Sequence, residues 1–234
     1  MLILAFETSA KAGSVALLDG EHLLAESYQN TGLTHSQTLM AMAEDLIKRC
    51  GYTPQDVQAV AVAAGPGSFT GVRIGVAAAK GFSWGSVLAC YGVSTLEAMA
   101  LQLGIHNGYV LPVMDARRNQ VYNALFQVKD GVVQRLREDR AISLEELGQE
   151  IKDLQQPVFL VGDGSLLCYT VLKEAVPTLV LPPEHRMHQR ATGVGLAAAK
   201  LIEAGVGGDA ATLQPNYLRL SQAERERLAR EQKK

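Results

Sequence analysis

Three short stretches carry side chains suited to an anion or a metal. Glu7-Thr8-Ser9 and Asp115-Ala116-Arg117 each close an apolar run with an acid that leads into a turn. An acid placed there can hold Mg²⁺ through water, and a basic turn residue such as Arg117 can meet a phosphate. The third stretch is Gly65-Pro66-Gly67-Ser68-Phe69-Thr70-Gly71, between an apolar run and an Ala-rich one. Backbone N–H groups at such a strand-to-helix loop can face an anion, with Gly65, Gly67 and Ser68 as the contacts. No Gly-Lys-Ser/Thr of a Walker A loop follows, and the third glycine, Gly71, falls one residue late for G-x-G-x-x-G. The same glycines would also serve a tight turn and close helix packing.

Metal and nucleophile chemistry find little support. Of the five histidines (22, 35, 106, 185 and 188), His185 and His188 alone approach helical metal-ligand spacing. They follow Pro182-Pro183 with no third ligand near, so no metal is expected. No Ser lies in a G-x-S-x-G frame. Cys50, Cys90 and Cys168 are odd in number and far apart, which predicts small buried hydrophobes in a reducing cytoplasm.

The elements that must position these residues repeat. Leu2 to Phe6, Ser14 to Leu18 and His22 to Ser27 read as three strands with a hairpin turn at Asp19-Gly20. Thr34 can cap a helix running to about Cys50, with Gly51 just past its end. Val57 to Ala63 is a buried strand, and an Ala-rich helix runs from Gly71 to Trp84. Tyr109 to Met114, Val121 to Val128 and Val132 to Leu136 repeat the three strands around Asp130-Gly131. Val158 to Val161 with Gly162-Asp163-Gly164-Ser165 echoes the strand and loop at Gly65. Ala191 to Lys200 (ATGVGLAAAK) echoes Gly71 to Lys80 (GVRIGVAAAK). The reading is a duplicated α/β chain, residues 1–106 and 107–220, with a charged tail at 221–234 opened by a Ser221/Glu224 capping box. That is the actin-like, sugar-kinase-like (RNase H-like) architecture, whose ATPases hold phosphate and metal at turns like those after Glu7 and Asp115. An actin-like phosphotransferase or ATPase is therefore the alternative function, although Glu7 lacks the Gly that usually follows the acid.

The whole chain sets limits. Its 234 residues carry 22 basic and 24 acidic side chains, a formal net charge of −2. A near-neutral chain is a poor binder of tRNA or DNA on its own. A hydrophobic share of 47% excludes disorder, and no apolar run reaches the ~18 residues of a membrane span. The two helices of the first half are apolar over more than one face, so they need a second surface beyond their own sheet, either more core or a partner chain.

Particular segments resemble the TsaB (YeaZ) family. They are Glu7-Thr8-Ser9, Thr34-His35-Ser36, the run from Gly65 to Gly75 (GPGSFTGVRIG), Ala79-Lys80-Gly81, Met114-Asp115-Ala116-Arg117 with Tyr122, and Pro215-Asn216-Tyr217-Leu218-Arg219. The resemblance implies a non-catalytic scaffold for TsaD, the transferase that places threonylcarbamoyl on N6 of a tRNA adenosine. TsaD holds its metal through an H-x-x-x-H motif; here Thr95 and Met99 occupy the matching places, and neither replaces an imidazole. The implied subunit has no cofactor of its own, the complex using ATP and the TsaD-bound metal. The implied partners are TsaD through the first two helices, the ATPase TsaE at that pair, a second copy when alone, and tRNA only through the complex. His35, Leu39, Met42, Leu46, Val72, Arg73, Val76 and Lys80 are the expected interface.

Overall fold

The structure, a computed structural model, describes residues 1–219 other than 87 and 106. Its first strand, β1 (Leu2–Glu7), is buried along its whole length. Leu2, Leu4 and Phe6 face one helix layer, and Ile3 and Ala5 face another. A strand covered on both faces reads as a continuous apolar run, which accounts for the absence of alternation in LILAF. β2 (Gly13–Asp19) and β3 (His22–Gln29) extend the sheet by antiparallel pairing on one side. β4 (Ala59–Gly65) and β5 (Ala89–Ser94) extend it in parallel on the other.

A second sheet holds β6 (Gly108–Asp115), β7 (Gln120–Lys129), β8 (Val132–Ser143), β9 (Val158–Val161) and β10 (Leu179–Val180). The orders are β3-β2-β1-β4-β5 and β10-β9-β6-β7-β8. Read from β8, the second repeats the first: three antiparallel strands, then two parallel ones. The duplicated actin-like α/β fold is therefore present. Several bounds differ from the sequence reading; β4, for one, is Ala59–Gly65 rather than Val57 to Ala63. β8 continues to Ser143 rather than Leu136, across register shifts that its pairing with β7 absorbs. The first hairpin turns on Gly20 and Glu21, one residue late, since Asp19 still pairs with His22. The tail at 221–234 with its Ser221 capping box, and His106, lie outside the described residues.

Seven α-helices and a 3-10 turn at Pro54–Asp56 complete the described fold. α1 (His35–Arg49) and α2 (Phe69–Ser86) cover one face of the first sheet. Lys48 and Arg49 in the last turn suit the negative end of the α1 dipole. Thr34 stands at the N-cap position, yet its side chain makes no cap bond; its carbonyl accepts from Gln37 N at 3.0 Å. α3 (Thr95–Leu103) packs on the second sheet, with Leu96, Met99 and Leu103 against Val110, Met114 and Phe126. α4 (Leu144–Ile151) and α5 (Ser165–Leu172) cover that sheet's other face. α6 (Glu184–Met187) leads into α7 (Ala191–Glu203).

α7 packs back on the first sheet, its Val194, Ala197 and Ala198 meeting Ile3, Ala5 and Ala16. The packing therefore crosses the division at residue 106: each sheet takes a helix from the other half of the chain. This also corrects the repeat. The helix after β9 is α5, so α5 is the counterpart of α2, and α7 answers to α3. ATGVGLAAAK and GVRIGVAAAK share a glycine at a point of close packing: a Cβ on Gly195 would collide with the Leu18 side chain, as one on Gly75 would with that of Thr8.

Candidate functional site

The turn after β1 is sealed. Glu7, Thr8 and Ser9 are each 0% exposed. Thr8 Oγ1 donates to the Gly71 carbonyl at 2.8 Å, and Ser68 N donates to the Ser9 carbonyl at 2.6 Å. Gly67, Gly71 and Gly75 make this possible, because a Cβ at each would run into Ser9 or Thr8. Gly65, which opens the loop with φ +122°, lies against the backbone oxygen of Asn216. Ser68 opens α2, its Oγ accepting from Gly71 N at 3.3 Å and its carbonyl from Val72 N at 2.9 Å. The glycine loop is therefore a packing device, with its Ser68 amide already committed to protein. Use of this turn by a phosphotransferase or ATPase would need Thr8 and Ser9 to leave it.

Glu7 carries the electrostatic cost of that seal. Its Oε1 accepts from Ser9 N at 2.5 Å, while Oε2 has no partner among the described residues. Burial pushes its carboxyl from the usual 4.5 up to about 7; bonding from Ser9 opposes this, and the charge of Asp163 adds to it. Asp163 follows β9, in the loop that echoes the Gly65 loop, and nothing in its sequence context marks it as a site residue. Desolvation of its carboxyl raises its pKa, Gln189 works against this by donating to Oδ1 at 3.3 Å, and the charge of the nearby Asp115 adds to the rise. Glu7, Asp115 and Asp163 thus share one region where the strand ends of the two sheets meet. Among the described residues no three of His, Cys, Asp and Glu stand so as to hold a metal ion.

The matching turn after β6 is open. Asp115 and Arg117 are exposed, and Asp115 Oδ1 accepts from Arg117 N at 2.7 Å. Arg117, Arg118 and Asn119 have φ of 62°, 57° and 57°, three successive left-handed residues without a glycine.

Five of the eight expected interface residues lie in the chain's own core. Leu39, Met42, Leu46, Val72 and Val76 are at most 7% exposed and form one core with β1, β2 and β4. His35 is half-buried, its Nε2 2.8 Å from the Ala10 carbonyl. Arg73 donates to the Tyr217 hydroxyl at 2.7 Å, and Lys80 to the Leu213 carbonyl at 3.0 Å. The widest apolar stripe of each helix thus serves the chain's own sheet. The outward stripe of α2 instead runs Thr70, Arg73, Ala77, Lys80, Gly81 and Trp84, at i, i+3, i+7, i+10, i+11 and i+14. Trp84 is 77% exposed, and Met40 on α1 is 45% exposed. Composition signalled two covered faces; only packing separates inner from outer.

A hollow of about 360 Å³ lies between the end of α3 and α6, lined by Gln102, His185, Arg186 and Arg190. Arg190 pairs with Glu26 at 2.8 Å. Glu26 also accepts from Thr192 N at 3.1 Å near the start of α7, so Arg190 in the wall of this hollow already has a carboxylate partner.

Comparison with known proteins bears on all of this. A family model described as TsaD, tRNA N6-adenosine threonylcarbamoyltransferase, matches residues 29–227. A Bacillus subtilis protein named tRNA threonylcarbamoyladenosine biosynthesis protein TsaB is 33% identical over 96% of each chain. The Escherichia coli protein of that name is 36% identical over 70% of this chain and 72% of its own. YeaZ from Pseudomonas aeruginosa superposes with a TM-score of 0.74 at 26% identity, covering 93% of this chain and 99% of that one. A second structure from that organism, described as similar to the peptidase YeaZ, gives 0.75 at the same identity and coverage. Close sequence kinship along nearly the full length, on the same duplicated fold, places this chain in the TsaB (YeaZ) family.

Proposed function

We propose that the chain is a docking subunit in the synthesis of N6-threonylcarbamoyladenosine on tRNA, and that the transfer chemistry belongs to a TsaD-like partner. The observation that carries this reading is the outward stripe of α2, where small residues Ala77 and Gly81 and the exposed Trp84 stand among Thr70, Arg73 and Lys80. Large exposed aromatics are the usual anchors of protein interfaces, and Ala77 and Gly81 let a second helix come close. The positions that answer to the TsaD histidines support the same reading. Thr95 and Met99 are 0% and 1% exposed, and Met99 packs in the core with Leu96 and Val110.

The stripe takes a TsaD-like subunit, or a second copy of this chain when no partner is present. A TsaE-like ATPase joins the pair, and tRNA is reached through the assembly in the cytoplasm. The net charge of −2 favours that indirect route over direct binding.

Co-purification with the TsaD-like subunit tests this. Trp84→Ala should weaken binding about tenfold or more, and Ala77→Arg should abolish it, with thermal melting unchanged for both. Met42→Arg should unfold the chain instead, since it buries an unpaired charge. Full binding by folded Ala77→Arg protein refutes the docking face.

A further inference from the structure

After α7 the chain runs on as a strap that touches both sheets. Gly208 passes against Tyr91, and Leu213 lies on Gly92 in β5. The Ala211 and Leu213 carbonyls accept from Lys80 Nζ at 3.4 and 3.0 Å. Asn216 N donates to the Ala64 carbonyl at 2.6 Å, at the end of β4. The Tyr217 ring stacks on Phe69 at 4.9 Å, and its hydroxyl accepts from Arg73 Nε at 2.7 Å. The Arg73 guanidinium lies over the Phe69 ring at 3.8 Å. Two residues on, Arg219 Nη1 donates to the Ala116 carbonyl at 2.8 Å. That carbonyl begins the left-handed turn Arg117–Asn119, and the bond joins the far end of the strap to the second sheet.

The arrangement is a short chain of contacts with a surface at one end and a strained turn at the other. Arg73 and Lys80 belong to the outward stripe of α2, and both hold the strap. Tyr217 is 42% exposed beside them. A body seated on the stripe must meet Arg73 and Tyr217 together, so it competes for the groups that hold the strap down. The turn at the other end has three left-handed non-glycine residues and exposed side chains, so it depends on the few bonds it receives.

We propose that the strap couples the two: loss of Arg73 from Tyr217 at the docking face loosens Arg219 from Ala116 and frees the turn at 115–119. The docking half of this inference rests on the proposed function; the coupling within the free chain does not. Because coupling is reciprocal, a change at the turn must alter docking by the same factor.

Hydrogen exchange on the full chain, alone and with the TsaD-like subunit, tests it. In the free chain, Arg73→Ala should speed exchange at residues 116–120 about fivefold or more, and Arg219→Ala should do the same. Arg49→Ala, on the far helix in an exposed pair with Asp45, should leave those amides unchanged. Partner binding to the unmodified chain should slow exchange in α2 and speed it at 116–120. In Arg219→Ala protein, partner binding should add nothing at 116–120. Unchanged exchange at 116–120 in folded Arg73→Ala protein overturns the coupling, whatever the partner does. Protection of α2 without change at 116–120 overturns its link to docking while leaving the docking face standing. Absence of protection in α2 overturns the docking reading, and the Arg73→Ala result then decides the intrachain coupling by itself.

Discussion

The turns after β1 and β6 occupy equivalent places in the two halves and have opposite fates. Glu7, Thr8 and Ser9 are wholly buried under the loop that leads into α2. Asp115 and the three left-handed residues after Ala116 stand in solvent. The difference comes from what lies opposite. In the first half, Gly67, Gly71 and Gly75 bring loop and helix onto the turn until backbone meets backbone. In the second half, Gly164 N donates to the Val113 carbonyl at 3.1 Å, and the turn is held by Ala116 N on the Gln120 carbonyl at 3.0 Å, by Leu144 N on the Asn119 carbonyl at 3.2 Å and by Arg219 from the strap. Duplication preserved strand order, while side-chain volume at three positions decided which turn stays open.

The strongest way to break this contrast is to add one methyl group on each side. Gly71→Ala must push Thr8 aside and should cost about 3 kcal/mol, measured by urea unfolding. Gly164→Ala has ordinary helix-start geometry and contacts near 3.1 Å, so about 1 kcal/mol is expected. Equal losses would refute the account of the seal.

Next in size is the buried acid. Glu7 binds its proton more tightly folded than unfolded, so its contribution is present below pH 4.5 and is lost as pH rises through about 7. The full loss is about 3 kcal/mol. Glu7→Gln should remove this slope, leaving stability near that of the parent at pH 4.5 and raising it by up to that amount at pH 8. Denaturant midpoints across that range decide it; a parallel pH profile in the variant would disprove the assignment.

The smallest effect belongs to the open turn. Arg118→Gly relieves a left-handed residue and should raise stability by about 1 kcal/mol in the same assay. Thr8→Gly in the sealed turn should lower it by about 1 to 2 kcal/mol through loss of the bond to the Gly71 carbonyl. A destabilised Arg118→Gly would show that the open turn is not strained.

Much of the fold was legible because local signals carried it. Val158 to Val161 appears with the bounds read from sequence, and α1 ends before Gly51, whose φ is 80°. The glycine loop was legible as a loop, and its packing role follows from Ser9 and Thr8, which lie about sixty residues away. Asp163 was visible only as part of an echo, since nothing in Gly-Asp-Gly-Ser says that its charge reaches Glu7. The burial of the expected interface residues has a related reason. Leu39, Met42, Leu46, Val72 and Val76 form the strongest apolar pattern, and that pattern is what a helix offers its own sheet. Trp84 and Ala77, which face out, look weaker in sequence.

Hydrophobic runs, turn residues and repeated strand triplets are local properties, and with the family motifs they determined the duplicated α/β architecture and the kinship. Which helix covers which sheet, which of two equivalent turns is closed, and which stripe of α2 faces outward were decided only in the tertiary structure. Those outcomes depend on backbone approaches between residues far apart in the chain, and a single methyl group at Gly71, Gly75 or Gly193 would change them.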